Sequence, residues 1–586
     1  MPSTFFGLNI GTSGLYTYQA AINTTAHNVS NAETDGYTRQ VLNQKAANAI
    51  RVNSSYGMVG AGVTATGITQ ARNGYYDLKY RNSNTTYGAY SAKEYYMTEI
   101  EDYFNEVSVD GFTTSYNSLF SSLQDLSKNP SSPTTRTQVV NYAKNLTEYF
   151  NGMANSLTSI QQECNFEVKT QVDRINSLGQ QIADVTKQIN TLESGGGTAN
   201  DLRDQRELLV DELSGIANVS VDEHVVGQNV GVTSYVVKIE GQTLVNTGDY
   251  NTLKVVPRTE KVNQSDADGL YEIQWSNGNN FSFQNSISQG YLSALMQVRD
   301  GNNQEILKGT VQSISSDKKT VTIGQSSIND IEKLNIPSEG YITINNQQCK
   351  YNSFEVTKNA ATQQLEYTFH LDKAASASVG NTASIGESID YKGIPYYMSQ
   401  LNELVRTFSE NFNAIHKTGY DLNNNKGVNF FTGVSPATGD DCNLDTMGYY
   451  NLTAGNFSVA ADVYKNPSMI ATSAKEITNG VEDKTIIDNL IALKSKSAMF
   501  KQGTPASFFQ TMVAEVGIDS KKATNNAKNQ KDILSVISNQ RLSVSGVDAD
   551  EEAMNLVMYK RAYDLSAKVI SVMNEMYDKL INGTAV

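Results

Sequence analysis

Four histidines, three cysteines and one dense acidic run are the residues of this 586-residue chain whose chemistry could reach beyond packing. His27, His224, His370 and His416 lie far apart, and none stands at a metal-ligand spacing from another histidine, a cysteine or a paired carboxylate. Cys164, Cys349 and Cys442 include no Cys-x-x-Cys pair. A disulfide framework or a structural zinc site needs closer or more numerous ligands. No nucleophile elbow, His-Glu-x-x-His or dinucleotide fingerprint stands in a suitable context. The triplet Gly195-Gly196-Gly197 has no following Lys-Ser/Thr pair and no preceding strand, so it reads as a break between helices rather than a phosphate loop. Asp548, Asp550, Glu551 and Glu552 could gather a cation. They stand just before an apolar helix, however, where capping and the helix dipole favour acidic side chains. The reading is of no catalytic residue, no cofactor and no metal.

Composition narrows the partners. The chain carries 46 basic and 61 acidic residues, a formal net charge of -15, which makes nucleic acid and anionic membrane poor partners. At this length several domains are expected. No basic segment followed by an apolar one opens the chain, and no run approaches the roughly 18 apolar residues of a membrane span. Taken alone, these features describe a cytoplasmic protein.

The elements that would position any function are helical at both ends. Leu8, Gly11, Leu15, Tyr18, Ile22, Thr25 and Val29 alternate at spacings of three and four, as do Leu556, Tyr559, Tyr563, Ser566, Ile570, Met573, Tyr577 and Leu580. Each set makes one face of a helix suited to a coiled-coil seam. The N-terminal seam, with its Gly and Thr, is weak by itself, so the two ends are expected to pack on each other or on neighbouring subunits. Residues 75–215 continue the helical pattern. A seam through Ile175, Leu178, Ile182, Val185, Ile189 and Leu192 ends at the glycine triplet, and Asn200-Asp201 would cap a returning helix. From about Asn218 the period becomes two, and a second strand-rich block runs from about Gly309 to Lys373. In it Leu365, Tyr367, Phe369 and Leu371 share one face and His370 lies on the other. Helix returns at Ile394, a Gly/Asn/Thr-rich loop region spans 419–460, and helices resume near Ile486. The expectation is an α+β multidomain chain with an axial, coiled-coil-like stem of terminal helices and inserted β-rich outer domains. Its parts would be a terminal helical assembly domain (1–60 with 530–586), a mainly helical second domain (61–217 with 393–529), a β-rich domain (218–300) and a variable β-rich insertion (301–392).

Residues 26–40, Ala-His-Asn-Val-Ser-Asn-Ala-Glu-Thr-Asp-Gly-Tyr-Thr-Arg-Gln, resemble the N-terminal signature of flagellar rod, hook and hook-associated proteins. Asn28, Asn31, Thr34, Gly36, Tyr37 and Arg39 fall on that motif. His27 stands where Asn is common and Asp35 where Pro is common. Residues 60–81 continue the pattern, and residues 543–548 with the helix after them resemble the shared C-terminal segment, in which Ser545-Gly546-Val547 stands where hook and rod proteins more often carry Ser-Asn-Val, a mark of the hook-associated subfamily. Residues 412–422 and the stretch Asn200-Asp201-Leu202-Arg203-Asp204-Gln205-Arg206 resemble the subfamily of the first hook-associated protein, FlgK.

The resemblance implies a structural adaptor, not an enzyme, that joins hook to filament. It implies export through the flagellar type III channel without a cleaved signal peptide, and an extracellular place in the flagellum. Its implied partners are hook subunits, a second junction protein, copies of the chain in a ring and an export chaperone at the C-terminal region. The assembly interface would then use Leu15, Tyr18, Ile22, Val29, Leu556, Tyr559, Tyr563, Ile570, Met573, Tyr577 and Leu580. The alternatives are a hook subunit or flagellin, or an axial protein whose insertion is an adhesin or a hydrolase.

Overall fold

The computed structural model describes residues 6–51, 57–104, 111–226, 232–281, 290–444, 447–476 and 483–583. The stem is built around α4 (Pro133–Glu193), a single helix of 61 residues and therefore about 90 Å long. Ser132 caps its start by accepting from the Thr135 N–H, and Pro133 supplies a first-turn residue with no amide to satisfy. The glycine triplet ends it, Gly196 taking φ +91°, which a side chain would resist. Val139, Ala143, Leu146, Phe150, Leu157, Cys164, Val168, Val172, Ile175, Leu178, Ile182 and Ile189 form one buried stripe along its length. Around it pack α2 (Gly74–Phe104), α3 (Phe112–Lys128), α5 (Asn200–Ile216), α6 (Tyr291–Asp300) and α7 (Ile394–His416). The short helices α8 (Ala461–Lys465) and α9 (Thr485–Ala492) complete this region. Helix α10 (Pro505–Ser545) runs antiparallel to α2, with Lys79 bonded to Gln540 at one end and Glu101 facing Gly517 at the other. Helix α1 (Phe6–Ser30) and helix α11 (Ala549–Asn582) form a second antiparallel pair.

Strands β1 (Gln40–Ala46) and β4 (Val63–Gln70) form a bulged hairpin, and β2 (Ile50–Arg51) pairs with β3 (Met58–Val59). An antiparallel sheet follows, in the order β5 (Val219–Val225), β6 (Thr233–Ile239), β7 (Gln242–Asn246), β8 (Asp249–Tyr250). It lies on α4, where Gly179 lets Leu244 approach. The pair β9 (Leu253–Pro257) and β10 (Tyr271–Trp275) extends the strand region. Strands β11 (Lys308–Ile314), β12 (Thr320–Gly324), β13 (Gly340–Ile344), β14 (Gln347–Lys358), β15 (Leu365–Leu371) and β16 (Thr382–Ser384) close into a barrel in the order β11-β12-β15-β14-β13-β16. Its core is separate from that of the stem and contains Val321, Tyr351, Tyr367 and Phe369. The barrel is held to α7 by the fully buried Arg406, which donates to the carbonyls of Glu332, Leu334, Tyr450 and Leu452. The last pair is β17 (Phe431–Gly433) with β18 (Phe457–Val459).

The α+β architecture with terminal helices and inner strands is as read. Two details differ. The hairpin β1/β4 joins residues on either side of 60–61, and α10 runs unbroken through 529–530, so neither position is a seam in the chain. Asn200 and Asp201 do not cap α5. Ala199 stands at the cap with no side-chain bond. The Asn200 amide instead donates to Gln40 Oε1 and the Ile68 carbonyl, and Asp201 accepts from the Gln40 side chain at 2.7 Å. Tertiary partners outcompete the local cap.

Candidate assembly interface

Helices α1 and α11 meet through small residues on one side and larger ones on the other. Gly7, Gly11 and Gly14 face Met573, Ile570 and Ser566, and a Cβ on Gly11 would come within 2.8 Å of Ile570 Cγ1. The buried line of α1 is Gly11, Gly14, Thr17, Ala21, Thr24, Thr25 and Asn28. The glycines and threonines expected to weaken the N-terminal seam therefore are the seam. Small side chains let two helix axes approach, since interaxial distance follows the residues at the contact. Of the larger residues assigned to assembly, Leu15, Tyr18 and Ile22 are half-buried beside this line and Val29 is exposed. On α11, Tyr559, Tyr563, Ile570, Met573 and Tyr577 are half-buried, while Leu556 and Leu580 are exposed.

A second apolar stripe, not read from the sequence, runs along the neighbouring flank of α11, about 110° around its axis. Met554, Met558, Leu565, Val569, Val572 and Met576 recur at helical spacing and are 41–68 % exposed. Helix α1 already occupies the first face and reaches the edge of this one at Val569, whose Cγ1 lies 3.5 Å from a Cβ placed on Gly11; among the described residues the rest of the stripe is exposed. The only signal for it in the sequence is that α11 carries more apolar residues than one seam can use.

The family-motif residues converge on a polar cluster where this helix pair joins the stem. Asn28, 1 % exposed, spends all of its hydrogen-bonding capacity there. Its amide donates to the Gln40 carbonyl and to Glu552 Oε2, and its Oδ1 accepts from the Gln40 N–H and the Tyr37 hydroxyl. Arg39 donates from Nε to Glu552 at 2.7 Å and from Nη2 to Glu551 at 2.6 Å, and its backbone N–H donates to the Ser545 carbonyl. Asp548 caps α11, accepting from the Asp550 and Glu551 amides. The acidic run thus serves the helix start, as read, and also holds the N-terminal motif, which sequence reasoning missed. Gly36 takes φ +76° at the turn, Thr34 donates to Asn31 Oδ1, and the Asn31 amide returns to the His27 carbonyl. Gly546 ends α10 by donating to the Leu542 carbonyl, and Val547 continues from it toward the Asp548 cap.

The internal Asn200–Arg206 motif reaches the same place. Thr38 N–H donates to Asp204, whose carboxyl is pushed up to about 6 by burial despite that bond and the nearby Arg72. Behind it a lattice of ion pairs ties α2, α5 and α10 together. Arg72 binds Asp77 and Glu207, Arg81 binds Glu207 and Asp211, and Arg541 binds Asp77 and Asp211. Burial would raise the Glu207 carboxyl, but Arg81, Arg72 and Arg206 outweigh it and hold it at about 2.

His416 is fully buried, donates from Nδ1 to the Val428 carbonyl and accepts the Ala471 N–H at Nε2; burial lowers its pKa to about 4. His27 lies 3.3 Å from Asp201, His370 lies 3.8 Å from Glu355, and His224 is on an exposed stretch of β5. The three cysteines are free, and no group of acidic, histidine or cysteine side chains among the described residues could hold a metal ion. No helix among them is long and apolar enough to cross a membrane.

Residues 97–340 and 320–431, together more than half of the chain, match the flagellar hook-associated protein FlgK helical domain. Residues 8–38 match the flagella basal body rod protein family, and residues 538–583 match the flagellar basal body rod FlgEFG protein C-terminal family. Flagellar hook-associated protein 1 of Bacillus subtilis (strain 168) is 27% identical, over 100% of this chain and 99% of that protein. The protein of the same name from Escherichia coli (strain K12) is 26% identical, over 98% of this chain and 99% of its own length. The solved flagellar hook junction protein FlgK from Burkholderia pseudomallei aligns with 80% of this chain and 100% of its own at 14% identity, with a TM-score of 0.45. The chain belongs to the flagellar hook-associated protein FlgK family.

Proposed function

We propose that this flagellar axial protein is a structural adaptor at the hook–filament junction, assembling through its terminal helices. The observation that carries the reading is the uncovered stripe of α11, a row of apolar side chains on a helix whose other face is already filled by α1. Exposed apolar surface of this extent on a chain of net charge -15 calls for a protein partner rather than an anionic one. The partners are neighbouring copies in a ring, hook subunits below and a second junction protein above, with an export chaperone at the C-terminal region before assembly. The protein leaves the cell through the flagellar export apparatus and works outside it. Its work is mechanical, not enzymatic. The α1/α11 pair is the assembling unit, the helical stem the shaft, and the β5–β8 sheet and the barrel the outlying parts.

Electron microscopy of flagella from a deletion strain tests this. Bare hooks, with filament protein lost to the medium, support the reading. Normal filaments on those hooks would overturn it.

A further inference from the structure

The stem carries two surface patches of opposite character. Between Ser520 and Ser545 the chain has five basic residues and one acidic, Asp532, although its net charge is -15. Lys521, Lys522, Lys528 and Lys531 are exposed on α10, and none forms an ion pair among the described residues. At about 100° per residue, Lys521, Lys528 and Lys531 fall within one side of the helix, next to Ile518 and Val536. Those two are 66% and 55% exposed. The second patch lies where α2 meets α4. Tyr95 donates its hydroxyl to Glu163, and Glu99 and Glu167 also act on that phenol. Phe166 stands between Glu163 and Glu167 on α4 and is 64% exposed.

The patches face opposite ways. On α2, Tyr95 belongs to the acidic patch, while Lys93 lies beside Lys522 on the flank of α10 that meets α2, and Lys521 and Lys528 are turned away from the buried Ala523 of that helix. Two helical positions apart means about 200° around the axis. A copy can therefore present one patch to each of two neighbours, the arrangement of a head-to-tail contact that closes into a ring. In the acidic patch the ring of Phe166 stands within a charged margin, a common anatomy of a protein interface, and in the basic one Ile518 and Val536 bracket the lysines.

We propose that the lysine face of α10 docks on the Glu163–Phe166–Glu167 face of a second copy, forming a lateral stem-to-stem contact distinct from the terminal helices. Phe166 would meet the apolar stems of Lys521 and Lys528, and the carboxylates would meet their ammonium groups. In the single copy the basic face is uncompensated. Burial, and then repulsion from Lys522, lowers the Lys93 ammonium to about 8, although it rests over the Tyr391 ring at 4.7 Å. This contact rests on the proposal that copies assemble in a ring.

The test uses the full chain expressed in the deletion strain, with secretion measured alongside the amount retained in isolated flagella. K521E/K528E and, separately, E163K/E167K are each expected to lower retention about tenfold, as like charges meet across the contact. The chain carrying all four substitutions restores opposite charges across every contact, and its retention is expected to return to within about threefold of the unaltered chain. A folding defect in either pair would persist in the combined chain, so the rescue decides. Retention unaffected by either pair, or a combined chain no better retained than each pair, overturns the lateral contact. Absence of the unaltered chain from flagella would instead overturn the assembly reading on which it rests.

Discussion

Helices α4 and α11 carry apolar stripes of the same kind and meet opposite fates. Along α4 the stripe is buried from Val139 to Ile189 within one chain. On α11 the described residues include one buried side chain, Glu552, and its apolar residues divide between a half-covered face on α1 and an uncovered one. Both are long helices, so length and amphipathicity do not separate them. What separates them is how much of the same chain is available to pack. Helix α4 is surrounded by helices, a sheet and the strand pair β9/β10, whereas among the described residues α11 packs chiefly on a slender partner whose buried line is of glycines, threonines, an alanine and Asn28. Apolar surface that the fold does not use is surface for something else.

The largest effects should separate the two helices. Leu178→Asp places a charge in the fully buried stripe of α4 and should unfold the stem, costing several kcal/mol by thermal denaturation. Val572→Asp changes the uncovered stripe and should leave that transition unmoved, within about 0.5 kcal/mol. Its effect should appear as lost filament retention and motility at normal secretion. If both substitutions lowered the thermal transition alike, the distinction drawn between the helices would collapse.

Gly11→Leu sharpens the comparison from the other partner. Gly11 has no room for a side chain beside Ile570, so overpacking should cost the helix pair about 1–3 kcal/mol. Circular dichroism should record the loss of terminal helix while the stem transition holds. Glu552→Gln removes the charge on which Arg39 and Asn28 converge and should loosen the first turn of α11 by about 1–3 kcal/mol. Amide exchange is expected to quicken there and not in α4.

The smallest effect is one of pH. Asp204 has its carboxyl raised to about 6 against an ordinary 3.8. Between those values the folded chain holds a proton that the unfolded chain releases, so stability should fall as pH rises from about 4 to 6 and level off above. The change should reach about 1–3 kcal/mol, and Asp204→Asn should flatten it. A slope that survives the substitution would place its origin elsewhere.

The terminal helices and the strand blocks were legible because periodicity and motif are local. So was the face of β15, where Tyr367 and Phe369 point into the barrel as their alternation predicts. Barrel closure was not, because it depends on β11 meeting β16 across about 70 residues of chain. The seam of α1 was misread for a different reason. Leu15, Tyr18 and Ile22 stand out by hydrophobicity, but at a close helix crossing the buried positions go to the smallest side chains. The cluster joining Asn28, Arg39, Asp204 and Glu552 was visible only as three separate motifs, and nothing in the spacing of residues more than 500 apart announces that they meet.

The central claim, that the second stripe of α11 is covered in the flagellum, is tested most directly by thiol labelling of a Val572→Cys chain. With the half-buried free Cys349 and Cys442 replaced by serine, a thiol at this exposed position should react with maleimide rapidly in free solution, the buried Cys164 serving as an unreactive reference within the chain. In isolated flagella the same thiol is expected to react at least about tenfold more slowly, since assembly removes it from solvent. Equal labelling in the free chain and in the flagellum would contradict the account.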